Sequence, residues 1–209
     1  MKIIVVSPQT AVKDEIDTVT SLFEAGLDLL HVRKPGYSKK RIENYIQKIP
    51  KKYWNKIVIH SHHTLALKYK LKGIHLTRKH RKKEFITALK VQYLKFFKSD
   101  ITISATYHNL ANIYENVEEF DYVFLSPIFD SISKSGYQSG FNFHSLKVAM
   151  SKTSLKVIAI GGIELNRLDK IQNLGFSGIA LAGTIWQSND RINDFLAIKE
   201  KCKNLETAY

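Results

Sequence analysis

A single cysteine, Cys202, in 209 residues excludes an internal disulfide and fits a reducing compartment. Four prolines and ten glycines are too few for a fibrous or disordered chain. No apolar run approaches the roughly 20 residues that a membrane-crossing helix needs. The opening stretch, Met1 to Val6, has no basic lead, long hydrophobic segment or small-residue cleavage site. No secretory signal is expected, and the reading places the chain in the cytoplasm without a membrane partner. Acidic residues are the other shortage: 19 Asp and Glu stand against 32 Lys and Arg, a formal charge of +13. That excess attracts polyanions. The basic residues are dispersed, however, as Lys39 to Arg41, Lys51 with Lys52, and Lys79 to Lys83, without interleaved aromatics. A solvated basic surface that suits a small phosphate ligand is therefore favoured over a nucleic-acid face.

What is present is alternation. Short β-branched runs recur between longer amphipathic ones, the pattern of repeated strand and helix units around a parallel sheet. The strands are expected at Ile3–Ser7, Leu29–Arg33, Lys56–His60, Gly73–Leu76, Ile101–Ala105, Tyr122–Ser126, Val157–Ile160 and Gly178–Ala182. Helices are expected among them at Val12–Ala25, Lys40–Ile49, Leu110–Asn116, Glu164–Leu174 and Asn193–Lys203. Gly26 and Gly175 follow the ends of two of these, as left-handed helix stops do. Strands apolar on both faces suit a barrel, and the GxGxxG fingerprint of a doubly wound sheet is absent after the first strand. The fold class is therefore α/β, with residues 1–209 forming one single (β/α)8 TIM barrel domain.

Function in such a barrel gathers at the C-terminal ends of the strands. Reading those ends in order gives His31 with Arg33, His60 with His62, His75, Thr106 with His108, then Ser131, Ser133 and Lys134. Gly161, Gly162, Gly183 and Thr184 complete the set, which carries no carboxylate. Small residues on the last two strands expose backbone N–H groups where barrels commonly hold phosphate. Two hydroxyls and an ammonium in one loop suit a second phosphate by charge-assisted hydrogen bonds. The histidines have neither metal-motif spacing nor acidic or thiolate companions, so no metal site is expected among them. An imidazole acting as general acid or base fits its ordinary titration range.

These segments together resemble the thiamine phosphate synthases and the related thiazole tautomerases over nearly the full chain. His31-Val32-Arg33-Lys34 is similar to the family's Gln-Leu-Arg motif, and His60-Ser61 through Leu67 to its Asn-Asp helix start. Gly73-Ile74-His75-Leu76 resembles Gly-Val-His-Leu, and Thr106-Tyr107-His108 resembles Ser-x-His. Pro127 to Lys134 resembles Pro-Val-Phe-x-Thr-x-Thr-Lys, and Val157 to Ile163 resembles Val-Ala-Ile-Gly-Gly-Ile. The resemblance implies a (β/α)8 barrel that joins hydroxymethylpyrimidine pyrophosphate to a thiazole phosphate in thiamine biosynthesis, assisted by Mg2+. It assigns the pyrophosphate to Arg33, Ser131, Ser133 and Lys134, the thiazole phosphate to Gly162 and Gly183, and the pyrimidine side to Thr106. Arg33, His31 and Lys134 form the catalytic set; His108, Gly161 and Thr184 join the substrate-binding group, and His60, His62 and His75 line the pocket. The partner is thus a phosphorylated small molecule, with room for a homodimer.

The departures from the family pattern concern the metal. Ser61 and His80 stand where its two magnesium-holding aspartates belong, and His60 where its Asn does. Two alternatives stay open: a metal-independent thiazole tautomerase, whose catalytic His would fall at Pro127, and a non-catalytic barrel that binds a phosphorylated ligand.

Overall fold

The computed structural model describes residues 1–115, 120–130 and 140–207. Eight parallel strands close into a barrel in sequence order: β1 (Lys2–Val6), β2 (Leu29–Val32), β3 (Ile57–Ile59), β4 (Gly73–Leu76), β5 (Thr102–Tyr107), β6 (Tyr122–Leu125), β7 (Val157–Ile160) and β8 (Gly178–Leu181). Each lies within two residues of its expected bounds. The chain divides into two compact units, Val6–Ala105 and Met1–Val5 with Thr106–Tyr209. Among the described residues no helix is long and apolar enough to cross a membrane.

In the unit Val6–Ala105, β2 to β5 pair through Leu30↔Ile57, Val58↔Gly73 and Gly73↔Thr102. The helices Glu15–Glu24 and Lys39–Lys48 turn Val19, Leu22, Phe23, Ile42 and Ile46 inward, and all five are buried. Their spacing of three and four residues makes one apolar stripe on each helix. The first helix starts at Glu15, not Val12, because Asp14 sits at φ 56, outside helical geometry. Lys34 is pulled inward: its Nζ donates to Glu15 Oε2 at 2.7 Å and to the Thr10 carbonyl at 3.2 Å. The Tyr45 hydroxyl donates to Glu15 Oε1 at 2.7 Å, so both carboxylate oxygens are engaged below the surface. The helix Glu84–Phe97 was not among those expected, and it buries Leu94 alone. Its outer side exposes Phe85, Phe96 and Phe97.

In the other unit β6, β7, β8 and β1 pair through Val123↔Val157, Ile158↔Gly178 and Lys2↔Gly178. A Cβ at Gly178 would lie 2.5 Å from the Lys2 carbonyl oxygen, so only glycine lets these strands close up. The expected helix stop at Gly175 is present at φ 88. The helix Phe143–Lys152 is capped by Asn142, whose side chain accepts from the Ser145 N–H at 3.1 Å. The expected stretch Glu164–Leu174 divides into a 3-10 turn, Leu165–Arg167, and the helix Leu168–Leu174.

Candidate functional site

Strand register gathers the first group, within the unit Val6–Ala105. Paired residues of neighbouring parallel strands point to the same side, as do residues two apart on one strand. His31 pairs with Val58, and His60 lies two residues beyond Val58. Ile59 pairs with Ile74, which sets His60 level with His75, and His75 pairs with Ser104. All four side chains are therefore on one side, and all are buried.

The contacts follow from that placement. His31 Nδ1 and His60 Nε2 share a hydrogen bond at 3.0 Å. His60 stacks on His75 with ring centroids 4.1 Å apart, and His75 Nδ1 meets the Ser104 hydroxyl at 3.0 Å. Burial lowers the His31 pKa to about 3. It also drives His60 and His75 well below their usual range, helped by their neighbours' charges and by Arg33. Near neutral pH the group is three uncharged imidazoles.

Two further histidines sit beside them. Burial, with His80 and Lys90 adding to it, lowers His63 to about 3, and its Nε2 is buried without a hydrogen-bond partner among the described residues. His80 closes its own turn, where its Nδ1 accepts from the Thr77 N–H at 3.2 Å. The sequence reading passed over His63 because it follows the strand end by several residues. The positive-φ turn at His62, φ 52, precedes the buried His63.

Arg33 and Lys34 are adjacent but go opposite ways. The Arg33 side chain is exposed, while its backbone N–H donates to the Ser7 hydroxyl at 2.9 Å. The Ser7 N–H in turn donates to the His31 carbonyl at 2.9 Å. This bracing holds the end of β2, so the guanidinium projects from a fixed backbone. His62 is not part of the histidine group: it is exposed, and its Nε2 meets the Tyr37 carbonyl at 2.9 Å.

The second group lies in the other unit. Gly161 and Gly162 have φ of 98 and 62, a region that side chains rarely enter. A Cβ at Gly162 would lie 2.3 Å from the Asp130 carbonyl oxygen, and one at Gly161 would lie 2.9 Å from Pro127. The glycines thus let the segment 127–130 lie against the end of β7, where the Phe129 N–H donates to the Gly161 carbonyl at 3.1 Å. Arg167 donates to the Gly162 carbonyl at 2.6 Å, a partner that the sequence reading did not name. Gly183 opens the single-turn helix Gly183–Trp186, and the Thr184 hydroxyl donates to the Ile163 carbonyl. Gly161 with Gly162 forms a structural turn and Gly183 with Thr184 a helix start, and all four are half-buried. Thr106 is half-buried, and His108 is exposed with its Nδ1 2.9 Å from the Ser126 carbonyl. Ser131, Ser133 and Lys134 lie outside the described residues.

Gly162→Ala should lower stability by about 1–3 kcal/mol, because it adds a clash to a positive-φ backbone. Chemical denaturation checks this; an unchanged midpoint would mean that the segment 127–130 does not pack there.

The model of the TMP-TENI family, thiamine monophosphate synthase, matches residues 3–185. A thiamine-phosphate synthase of Dictyoglomus turgidum is 27% identical over 84% of this chain and 78% of its own. One of Caldicellulosiruptor saccharolyticus is 25% identical over 92% and 83%. Among solved structures, a thiamine phosphate pyrophosphorylase of Bacteroides thetaiotaomicron superposes with TM-score 0.78 and 28% identity, covering 97% of this chain and 98% of that one.

Proposed function

The chain belongs to the thiamine monophosphate synthase family, and on that premise we propose that it joins hydroxymethylpyrimidine pyrophosphate to a thiazole phosphate, releasing pyrophosphate. The observation that best supports this is Arg33: its side chain is exposed, its backbone N–H donates to the Ser7 hydroxyl, and by resemblance it stands at the family's pyrophosphate position. Arg33 and Lys134 supply the positive charge on which the departing pyrophosphate rests. By the family resemblance Ser131 and Ser133 contribute hydroxyl donors to pyrophosphate binding. The amides of Gly162 and Gly183 receive the thiazole phosphate, with Thr106 on the pyrimidine side and Gly161, Thr184 and His108 around them.

Magnesium does not fit the residues that stand at its usual positions. Mg2+ takes oxygen ligands, chiefly carboxylates and phosphates. Ser61 offers one neutral hydroxyl. His80 is committed to Thr77, and its pKa is lowered first by burial and then by Lys90 and Lys79, the mark of a cationic surrounding. The reading therefore leaves neutralisation of the leaving group to this chain's own cations.

Calorimetry with the pyrimidine pyrophosphate tests the reading. Wild type should bind, and Lys134→Ala should weaken affinity by about 1.5–3 kcal/mol, the worth of a charge-assisted hydrogen bond. That loss should shrink as salt is raised. Unchanged affinity in the variant would remove Lys134 from the site, and absence of binding by wild type would overturn the proposal.

A further inference from the structure

A cluster of three histidines from consecutive strands is a donor set in its own right. One nitrogen from each of His31, His60 and His75 falls within 4.8 Å of the others, and all three residues are buried. The spacing of 29 and 15 residues along the chain hides this, because the convergence is produced by strand register and not by a local motif. We propose that His31, His60 and His75 bind a single late first-row divalent metal ion, with zinc the best match.

The chemistry of the donors selects the metal. Three imidazole nitrogens with no carboxylate suit Zn2+, Co2+, Ni2+ or Cu2+, and not Mg2+ or Ca2+. Three protein ligands leave a tetrahedral ion one open position, the arrangement of catalytic rather than structural zinc. The Ser104 hydroxyl beside His75 Nδ1 holds that ring, the support that metal-bound histidines commonly receive.

The His31–His60 pair needs little adjustment, whereas the His60 and His75 rings, stacked 4.1 Å apart, turn so that both face one ion. His31 Nδ1 and His60 Nε2 are 3.0 Å apart. Zinc bonds of about 2.0–2.1 Å place tetrahedral ligands about 3.3 Å apart, so a small outward swing of the two rings admits the ion. One of those two nitrogens carries the proton of their hydrogen bond, so its imidazole takes the other tautomer, with the proton on its far nitrogen, for both facing lone pairs to reach the metal.

Charge determines the remaining ligand. Arg33 and Arg81 act electrostatically on this histidine group. A dication added to neutral imidazoles leaves positive charge uncompensated, so the fourth ligand should be an anion such as hydroxide or a phosphate oxygen. The site uses neither Ser61 nor His80 as a ligand, and it does not rest on the synthase reading.

The test uses the metal alone. Tag-free full-length chain, stripped with chelator, is titrated with Co2+ and followed by visible absorption, then with Zn2+ by calorimetry. One ion per chain, the intense bands of four-coordinate cobalt, and their loss on adding zinc are expected. His60→Asn and His31→Gln, checked for folding by circular dichroism, should each weaken zinc on the order of 100-fold, at least the effect of losing a supporting residue. Should either variant fail to fold, X-ray absorption of the wild-type zinc complex decides by counting imidazole ligands. No uptake, uptake unchanged in a folded variant, or fewer than three imidazoles around the ion would overturn the proposal.

Discussion

Metal-free protein should lose its cooperative fold between about pH 6 and about pH 4, well above the range in which carboxylates alone would unfold it. His31 and His63 carry the effect, since each falls from the usual 6.5 to about 3 in the folded chain. Above pH 6.5 both are neutral whether the chain is folded or not, and their stability contribution is intact. Below it the unfolded chain takes up protons that the folded chain refuses. At about pH 4 each site has cost roughly 3 kcal/mol, and the two together approach the 5–15 kcal/mol that holds a typical domain. The depressed His60, His75 and His80 act in the same direction, while Arg33, Arg81 and Lys90 keep the surrounding charge positive. Circular dichroism across this window reads the transition. A fold that survives unchanged at about pH 4 would mean that these imidazoles are hydrated in solution, and the buried cluster would be wrong.

Breaking the Lys34–Glu15 pair from one side should cost about 3–5 kcal/mol, the usual penalty for stranding a buried charge. Lys34 is 2% exposed and Glu15 6%, so neither charge can turn to water without rearrangement. Burial pushes the Lys34 ammonium down from its ordinary value, and only the hydrogen bond and charge of Glu15 oppose that. Glu15→Gln leaves the ammonium facing a neutral amide. Lys34→Met leaves the carboxylate with the Tyr45 hydroxyl and the more distant Val12 N–H, 3.5 Å from Oε2. The double variant should recover most of the loss, because removing both charges removes the desolvation cost as well. Additive costs, or a single-variant cost below about 1 kcal/mol, would show a solvated pair. The pair also fixes the loop after β2, so Lys34→Met should weaken any ligand held by the neighbouring Arg33.

The strands were legible because burial on both faces leaves short apolar runs between turn signals, and every such run became a barrel strand. Gly161 and Gly162 were legible as a special turn from residue type alone. The segment that requires them, 127–130, was not, because close backbone approach is a tertiary fact. The histidines divide similarly. His31, His60 and His75 were each named, but their convergence depends on register across three strands and appears in no local spacing. Lys34 was read only as part of a motif. Its partner Glu15 is 19 residues earlier on a different element, and charge pairing over that range leaves no sequence signal. The helix Glu84–Phe97 escaped because its apolar residues point outward and blur the periodicity on which such readings rest.

The measurement that bears most directly on the account is product formation from the two substrates. Purified chain is incubated with hydroxymethylpyrimidine pyrophosphate and thiazole phosphate, in parallel with and without Mg2+, and thiamine phosphate is followed by chromatography. Thiamine phosphate is expected in both arms, since Arg33 and Lys134 neutralise the pyrophosphate under this proposal. Absence of product in both arms, from protein that binds either substrate, would contradict it and leave a barrel that holds phosphorylated ligands without joining them.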